Sequence, residues 1–197
     1  MANYENQRHF NWDRVYQTNF TQQDPADEAL YGPGRRSNYM VEERRTDQRD
    51  WNLTATFSHL FKGGSKLNAG LNVRRNRTEY YSLVKHLLGG DYWADIDKFA
   101  ARDNGLTNPI IQNDLRNPNR QIAEGDVFGY NYNIYVNKAR AWGQYLYTYG
   151  PLRAVVSGQA NATTIEREGL MQNGRAAERS YGSSGVAKFL GGGAKAT

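Results

Sequence analysis

The stretch from Trp51 to Val73 admits few folds, because apolar residues recur at every second position through two runs joined by four turn residues. On one parity stand Trp51, Leu53, Ala55, Phe57, His59 and Phe61, and between them Asn52, Thr54, Thr56, Ser58 and Leu60. After Lys62-Gly63-Gly64-Ser65 the parity resumes, with Leu67, Ala69, Leu71 and Val73 set against Lys66, Asn68, Gly70, Asn72 and Arg74. A strand sends successive side chains to opposite faces, so this pattern predicts a β-hairpin with one apolar and one wet face. What covers the apolar face, a protein core or a lipid bilayer, is the question the rest of the chain must answer.

Similar alternation appears at Tyr4 to Tyr16, Tyr39 to Phe61, Lys66 to Tyr81, Tyr130 to Tyr149, Leu152 to Glu166 and Lys188 to Thr197, which predicts about six strand segments. The connections between them run to about 22 residues (17–38), four (62–65), 48 (82–129), two (Gly150-Pro151) and 20 (167–186), so long and short alternate. Structureless loops beyond about 15 residues are uncommon in soluble sandwiches. Short periplasmic turns alternating with long external loops are the rhythm of an outer-membrane barrel. Trp51 to Phe61 is eleven residues, against the roughly 9–11 that a tilted strand needs to cross hydrocarbon. It begins and ends on an aromatic, as interfacial girdles do, and Tyr145, Tyr147 and Tyr149 stand beside the other short turn. The expected fold is therefore all-β: an antiparallel transmembrane β-barrel segment, too few strands to close, occupying residues 1–197. Its lipid-facing residues are expected to be Trp51, Leu53, Phe57, Phe61, Leu67, Leu71, Val73, Tyr145, Tyr147 and Tyr149. A soluble antiparallel sheet with a half-buried face explains the alternation equally well, but not the alternating loop lengths.

Composition narrows the alternatives. Only 39% of the 197 residues are apolar, mean hydropathy is −0.83, and the 14 Tyr outnumber the 7 Phe, so much of the apolar surface carries a polar tip. With no cysteine there is no disulfide, thiolate nucleophile or cysteine-held metal. The net charge of +5 is scattered rather than gathered into a stripe, which argues against a nucleic-acid partner. No run of about 18 apolar residues predicts a transmembrane helix, and MANYENQRHF lacks the basic and apolar regions of a signal peptide.

The stretches "RHFNWDRVYQTNF", "LLGGDYWADIDKFAARDN", "NDLRNPNRQIAEGDVFGYNYNI" and "GLMQNGRAAERSYG" resemble the barrel of TonB-dependent outer-membrane receptors of the Bacteroidetes type, most closely those that begin with a carboxypeptidase-regulatory-like domain. The resemblance runs from about Gln7 to Thr197. It implies a barrel of about 22 strands, a plug domain inside it, and uptake of a nutrient (siderophore, cobalamin or oligosaccharide) driven by a TonB-type inner-membrane energising complex. It also implies location in the bacterial outer membrane; the residues themselves carry no signal of an enzyme or a cofactor. The signal peptide, the energy-coupling box and the plug of that pattern are missing here, so the chain reads as an internal fragment of the barrel.

Within the 82–129 connection, Trp93, Ile96, Phe99 and Ala100 are spaced as on a short amphipathic helix. Tyr80, Tyr81, Tyr92 and Trp93 are candidates for an aromatic platform that binds a ligand; packing of the loop against its neighbours is the alternative. Asp91, Asp95, Asp97 and Asp103 lack the register of a calcium loop, while Asp114, Asn117 and Asn119 around Pro118 read as turn chemistry. His9, His59 and His86 are too dispersed to argue a triad or a zinc site. The glycines of Gly182 to Gly193 suit close strand packing or a bend. Arg75 and Arg77 continue the outward parity beyond Val73 on the long-loop side, where outer-leaflet lipopolysaccharide phosphates would be candidate partners and a solvated or cross-strand-paired arginine the alternative. A secreted or surface-attached β-protein binding glycans through Tyr and Trp is the other function open at this point.

Overall fold

The computed structural model describes residues 11–197. Two helices, α1 (Trp12–Phe20) and α2 (Pro25–Tyr31), precede strands β1 (Val41–Leu60) and β2 (Lys66–His86). A long connection holds β3 (Trp93–Ala94), α3 (Lys98–Asn104), a 3₁₀ turn at Pro109–Ile111 and β4 (Gln121–Ile122). Then come β5 (Val127–Tyr149), β6 (Leu152–Gly169), a 3₁₀ turn at Gly174–Ala176, β7 (Gly182–Ser183) and β8 (Ala187–Ala196). The chain divides into two compact units: one made of the residues up to Arg45 with Tyr80–Asn131 and Leu170–Tyr181, the other of Thr46–Glu79, Tyr132–Gly169 and Gly182–Thr197.

The second unit is sheet. Strand order is β1-β2-β5-β6, with β7 and β8 both paired to β6. The strands are long, 20 residues in β1, 21 in β2, 23 in β5 and 18 in β6, against about 3–10 in most globular sheets. The β1–β2 turn closes through Phe61 N–H to Ser65 O at 2.9 Å, with Gly64 at φ +82° where a side chain would be strained. β5 and β6 pair antiparallel from Tyr132↔Gly169 to Tyr149↔Leu152, and β6 and β8 from Val156↔Ala196 to Ile165↔Ala187. The sheet does not close; β1 ends the order at one side and β8 lies beyond β6 at the other.

The first unit is where the apolar interior lies. One cluster packs Tyr31, Tyr92, Ala94, Ile96, Ala100 and Ile111; a second packs Val84, Leu87, Ile122 and Phe128. The two-residue strands β3 and β4 pair Trp93↔Ile122 and Ala94↔Gln121. Asn19, fully buried, ties this unit together: its Nδ2 donates to the carbonyls of Tyr39 (2.8 Å), Leu87 (2.9 Å) and Leu88 (3.1 Å), and its Oδ1 accepts from Asn38 N and Tyr39 N.

Two sequence expectations change here. The strand expected from Tyr4 to Tyr16 is helix from Trp12 onward, and Tyr4 and Phe10 lie outside the described residues. The Asn11 side chain caps that helix by accepting from Arg14 N at 2.9 Å, and Val15 and Asn19, one turn apart, are its buried face. The helix expected over Trp93 to Ala100 begins only at Lys98, because Asp97 caps it through Phe99 N and Ala100 N while Trp93 is held in β3.

Candidate functional site: a two-faced sheet and an aromatic loop cluster

The register of the second unit turns the separate alternations into one surface. Tyr149↔Leu152, Tyr147↔Ala154, Tyr145↔Val156, Ala141↔Ala160 and Ala139↔Ala162 are partners, and Val156, Ala160 and Ala162 in turn face Ala196, Gly192 and Leu190. The apolar bands of β5, β6 and β8 therefore lie side by side. On β1 and β2 the polar parity pairs with itself: Asn72 donates to Asn52 Oδ1 (2.8 Å) and Thr54 Oγ1 (2.7 Å), and Ser58 to Asn68 (2.9 Å). That leaves Trp51, Leu53, Phe57 and Phe61 with Leu67, Leu71 and Val73 on the other face. Leu67 and Val73 are half-buried; the rest of this set, with Tyr145, Tyr147 and Tyr149, is exposed, Trp51 at 56% and Tyr149 at 73%.

The band has a definite height. Trp51 to Phe61, Ala139 to Tyr149 and Leu152 to Ala162 each span ten strand steps. Ten steps of about 3.4 Å, tilted by about 45°, give roughly 24 Å, close to the ~25 Å apolar band of outer-membrane barrels. At the short-turn end the rings touch in series: Phe57 stacks on His59 (6.3 Å), His59 meets Phe61 edge-on (4.6 Å), and Phe61 meets Tyr145 (6.2 Å). Beyond the other border the same face turns polar, with Asn137↔Thr164↔Lys188 aligned across three strands.

The two arginines past that border separate. Arg77 is engaged in cis: its Nε donates to Asn133 Oδ1 (3.1 Å), it pairs with Glu79 (3.5 Å), and it lies over the Tyr135 ring (6.0 Å). Tyr135 and Asn133 both donate to Glu168, at 2.7 and 3.1 Å. Arg77 is thus a cross-strand-paired residue rather than a charge offered outward, whereas Arg75 is exposed and forms no ion pair among the described residues.

In the first unit the four candidate aromatics do not form one platform. Tyr80 and Tyr81 are successive on β2 and so point to opposite faces; Tyr81 accepts from Arg45. Tyr92 is a core residue, 3% exposed, its ring 6.4 Å from that of Tyr31. Its neighbour Trp93 packs on Phe128 in the other cluster and carries Lys98 Nζ 3.8 Å above its ring. Tyr92 is held in the core by a backbone bridge to Arg36 and by its packing on Tyr31, both partners far away in sequence.

Each of the four aspartates is committed to a neighbour. Asp91 binds Arg35 through both carboxylate oxygens (2.7 and 2.9 Å), and those bonds hold its carboxyl down at about 2. Asp95, buried, accepts from Arg120 (2.7 Å), Gly129 N (2.9 Å) and Asn113 (3.0 Å). Asp97 caps α3 and pairs with Arg175 (3.2 Å), and Asp103 pairs with Arg102 (2.8 Å). Asp114 makes the expected turn, accepting from Arg116 N and Asn117, and adds a bond from Gln172 N that joins the 170–181 segment to this unit. Sequence reasoning missed the buried group around Asp27, whose carboxylate pairs with Arg36 at 3.0 Å. Burial pushes the Asp27 carboxyl up, against the pull of Arg36. Desolvation likewise lowers the Lys98 amine, to about 8, although the residue as a whole is exposed; the amine donates to Asn38 O.

No family model, curated protein or solved structure matches this chain.

Proposed function

We propose that the chain is part of the wall of an outer-membrane β-barrel, in a receptor that imports a bulky nutrient. One observation carries the reading: among the described residues every buried hydrophobic side chain belongs to the first unit, while the second unit exposes Trp51, Leu53, Phe57, Phe61, Leu71, Leu152, Val156 and Leu190. Covering one such side chain is worth about 1.5–3 kcal/mol. Eight of them come to on the order of 10–20 kcal/mol, as large as the whole stability of a typical domain, about 5–15 kcal/mol. A sheet of this kind needs a cover, and among the described residues the second unit itself packs no core on that face. Lipid fits its height, its girdle of rings and its polar border.

The open order of the sheet supports the fragment reading, since β1 and β8 each have a long edge that further strands of a barrel would pair. In that reading the chain supplies wall and long connections, a plug and TonB-type energy coupling come from elsewhere in the receptor, and the nutrient ligand is captured by the connections. The test uses single-tryptophan chains that keep Trp51 or Trp142, folded into vesicles of brominated lipid. Quenching of Trp51 with Trp142 spared is the expected result. A chain that folds and melts cooperatively in detergent-free buffer, with neither ring quenched, would overturn it and favour a water-soluble glycan binder.

A further inference from the structure

The polar face of the second unit holds a charge imbalance that wall-building does not require. Lys66, Lys138, Arg140, Arg153 and Lys195 all stand on it and form no ion pair among the described residues. Its acid, Asp50, is taken by Arg74. On the opposite face the charges balance, with Arg77 beside Glu79 and Glu166 one step from the Thr164↔Lys188 pair. The opposite face also carries cations, Arg75 and Lys188 among them, but it carries the acids Glu79, Glu166 and Glu168 with them, so the excess of positive charge lies on the polar face.

Three of these cations, Lys138, Arg140 and Lys195, line hollows on that face. A space of ≈ 430 Å³ is bounded by Arg140, Trp142, Gln159 and Lys195 over a floor of Gly143, Gly158 and Gly193. Arg140 and Gln159 also line a second space of ≈ 320 Å³, and Lys138 joins that to a third of ≈ 200 Å³ next to Arg74. Gly143 and Gly158 contribute backbone to the floor, and Gly70 leaves the room that the Trp142 indole occupies; a Cβ there would collide with the ring. The result is one trough with cationic walls, amide groups from Asn72, Gln144 and Gln159, and one flat ring. Its size is that of small-ligand sites, about 300–1,000 Å³.

We propose that this trough binds small multivalent oxyanions, carrying carboxylate or phosphate groups, with Arg140 as the forked donor and Lys138 and Lys195 as flanking charges. Guanidinium groups bind such oxyanions through paired N–H bonds, and several cations over a low-dielectric sheet raise the local concentration of anions. A small solute fits better than an acidic polypeptide because the hollow is shallow and divided into ligand-sized compartments. The inference concerns the polar face and holds whatever covers the apolar one.

Equilibrium dialysis of the folded full chain in nonionic detergent tests it, with pyrophosphate and the aromatic tricarboxylate trimesate as separate probes. Saturable binding is expected for at least one, weakened at least tenfold between about 50 and 500 mM NaCl. The double variant Lys138→Gln/Arg140→Gln should lose at least tenfold in affinity, and Arg75→Gln/Lys188→Gln, on the opposite face, should bind as the unaltered chain does. No saturable binding of either probe, or equal loss in both double variants with circular dichroism unchanged, overturns the proposal. Trp51 quenching by brominated lipid reports separately on the membrane reading, so either can fail without the other.

Discussion

The two units solve opposite problems with the same chain. The first gathers Tyr31, Tyr92, Ile111, Val84 and Phe128 inward and holds them with polar side chains spent on backbone, above all Asn19, Asp95 and Asp114. The second, among the described residues, buries no hydrophobic side chain and satisfies its backbone by strand pairing. The contrast teaches that irregular chain needs side-chain hydrogen bonds to stand in for a ladder, whereas a long antiparallel sheet needs almost none. It follows that the first unit is vulnerable to loss of single polar residues, and the second to a change of what lies against its face.

The largest effect is therefore expected at Asn19. Replacing it with Ala removes five hydrogen bonds, to three carbonyls and two N–H groups, of which the Leu87 carbonyl keeps a bond from Ser37 Oγ. Each buried group so orphaned costs about 1–3 kcal/mol, so even with water entering, the loss should be at least about 3 kcal/mol. Hydrogen exchange on the folded chain should show faster exchange at Tyr39, Leu87 and Leu88 and unchanged protection in β6. Uniform loss along both units would mean that they are not separate in stability.

The second expectation breaks the comparison from the other side. Leu71→Arg places a charge within the apolar band, where an arginine near the midplane of a barrel wall costs about 2–4 kcal/mol. Thr56→Arg, on the polar face of the neighbouring strand, should cost less than about 0.5 kcal/mol. Urea unfolding from lipid vesicles reads both. Equal costs would show that the two faces meet the same solvent.

What could be read in advance divides along the same line. The two faces of β1, β2, β5 and β6 were legible because a strand repeats every two residues, and the short turns at Gly63-Gly64 and Gly150-Pro151 set which strands pair. The alignment of Ala162 with Leu190 was not, since a connection of some 20 residues leaves the register of β8 to tertiary contacts. Trp12 and Tyr16 show how a period misleads: residues four apart share a face in strand and in helix alike, and only the Asn11 cap separates the two. Tyr92 and Arg77 were placed by partners on other elements, Tyr31 and Asn133, which no local pattern names. Asn19 looks like any surface amide until its five bonds are drawn.

The smallest expected effect belongs to acid and to the first unit. The Asp91 carboxyl has its pKa lowered to about 2 by the Arg35 side-chain bonds, with the Arg35 backbone N–H as a further donor, from 3.8 for an unconstrained carboxyl. A carboxyl depressed by folding contributes stability that is fully present above about pH 4 and is lost as pH falls toward 2, because below that range both states are protonated. With Asp91 45% exposed, solvent screens the pair and about 1 kcal/mol is a reasonable size. Asp27 acts in the opposite sense and in a higher window, since burial raises its carboxyl: the folded unit holds that proton to higher pH than the unfolded chain, so its contribution is present below the ordinary value of 3.8 and declines as pH rises above it. The Asp91→Asn chain isolates the first term. Its midpoint in urea should lie below that of the unaltered chain at pH 6 and meet it near pH 2, as read from segments of the first unit. A constant gap across that range would mean the Arg35 pair holds the loop by shape rather than by charge.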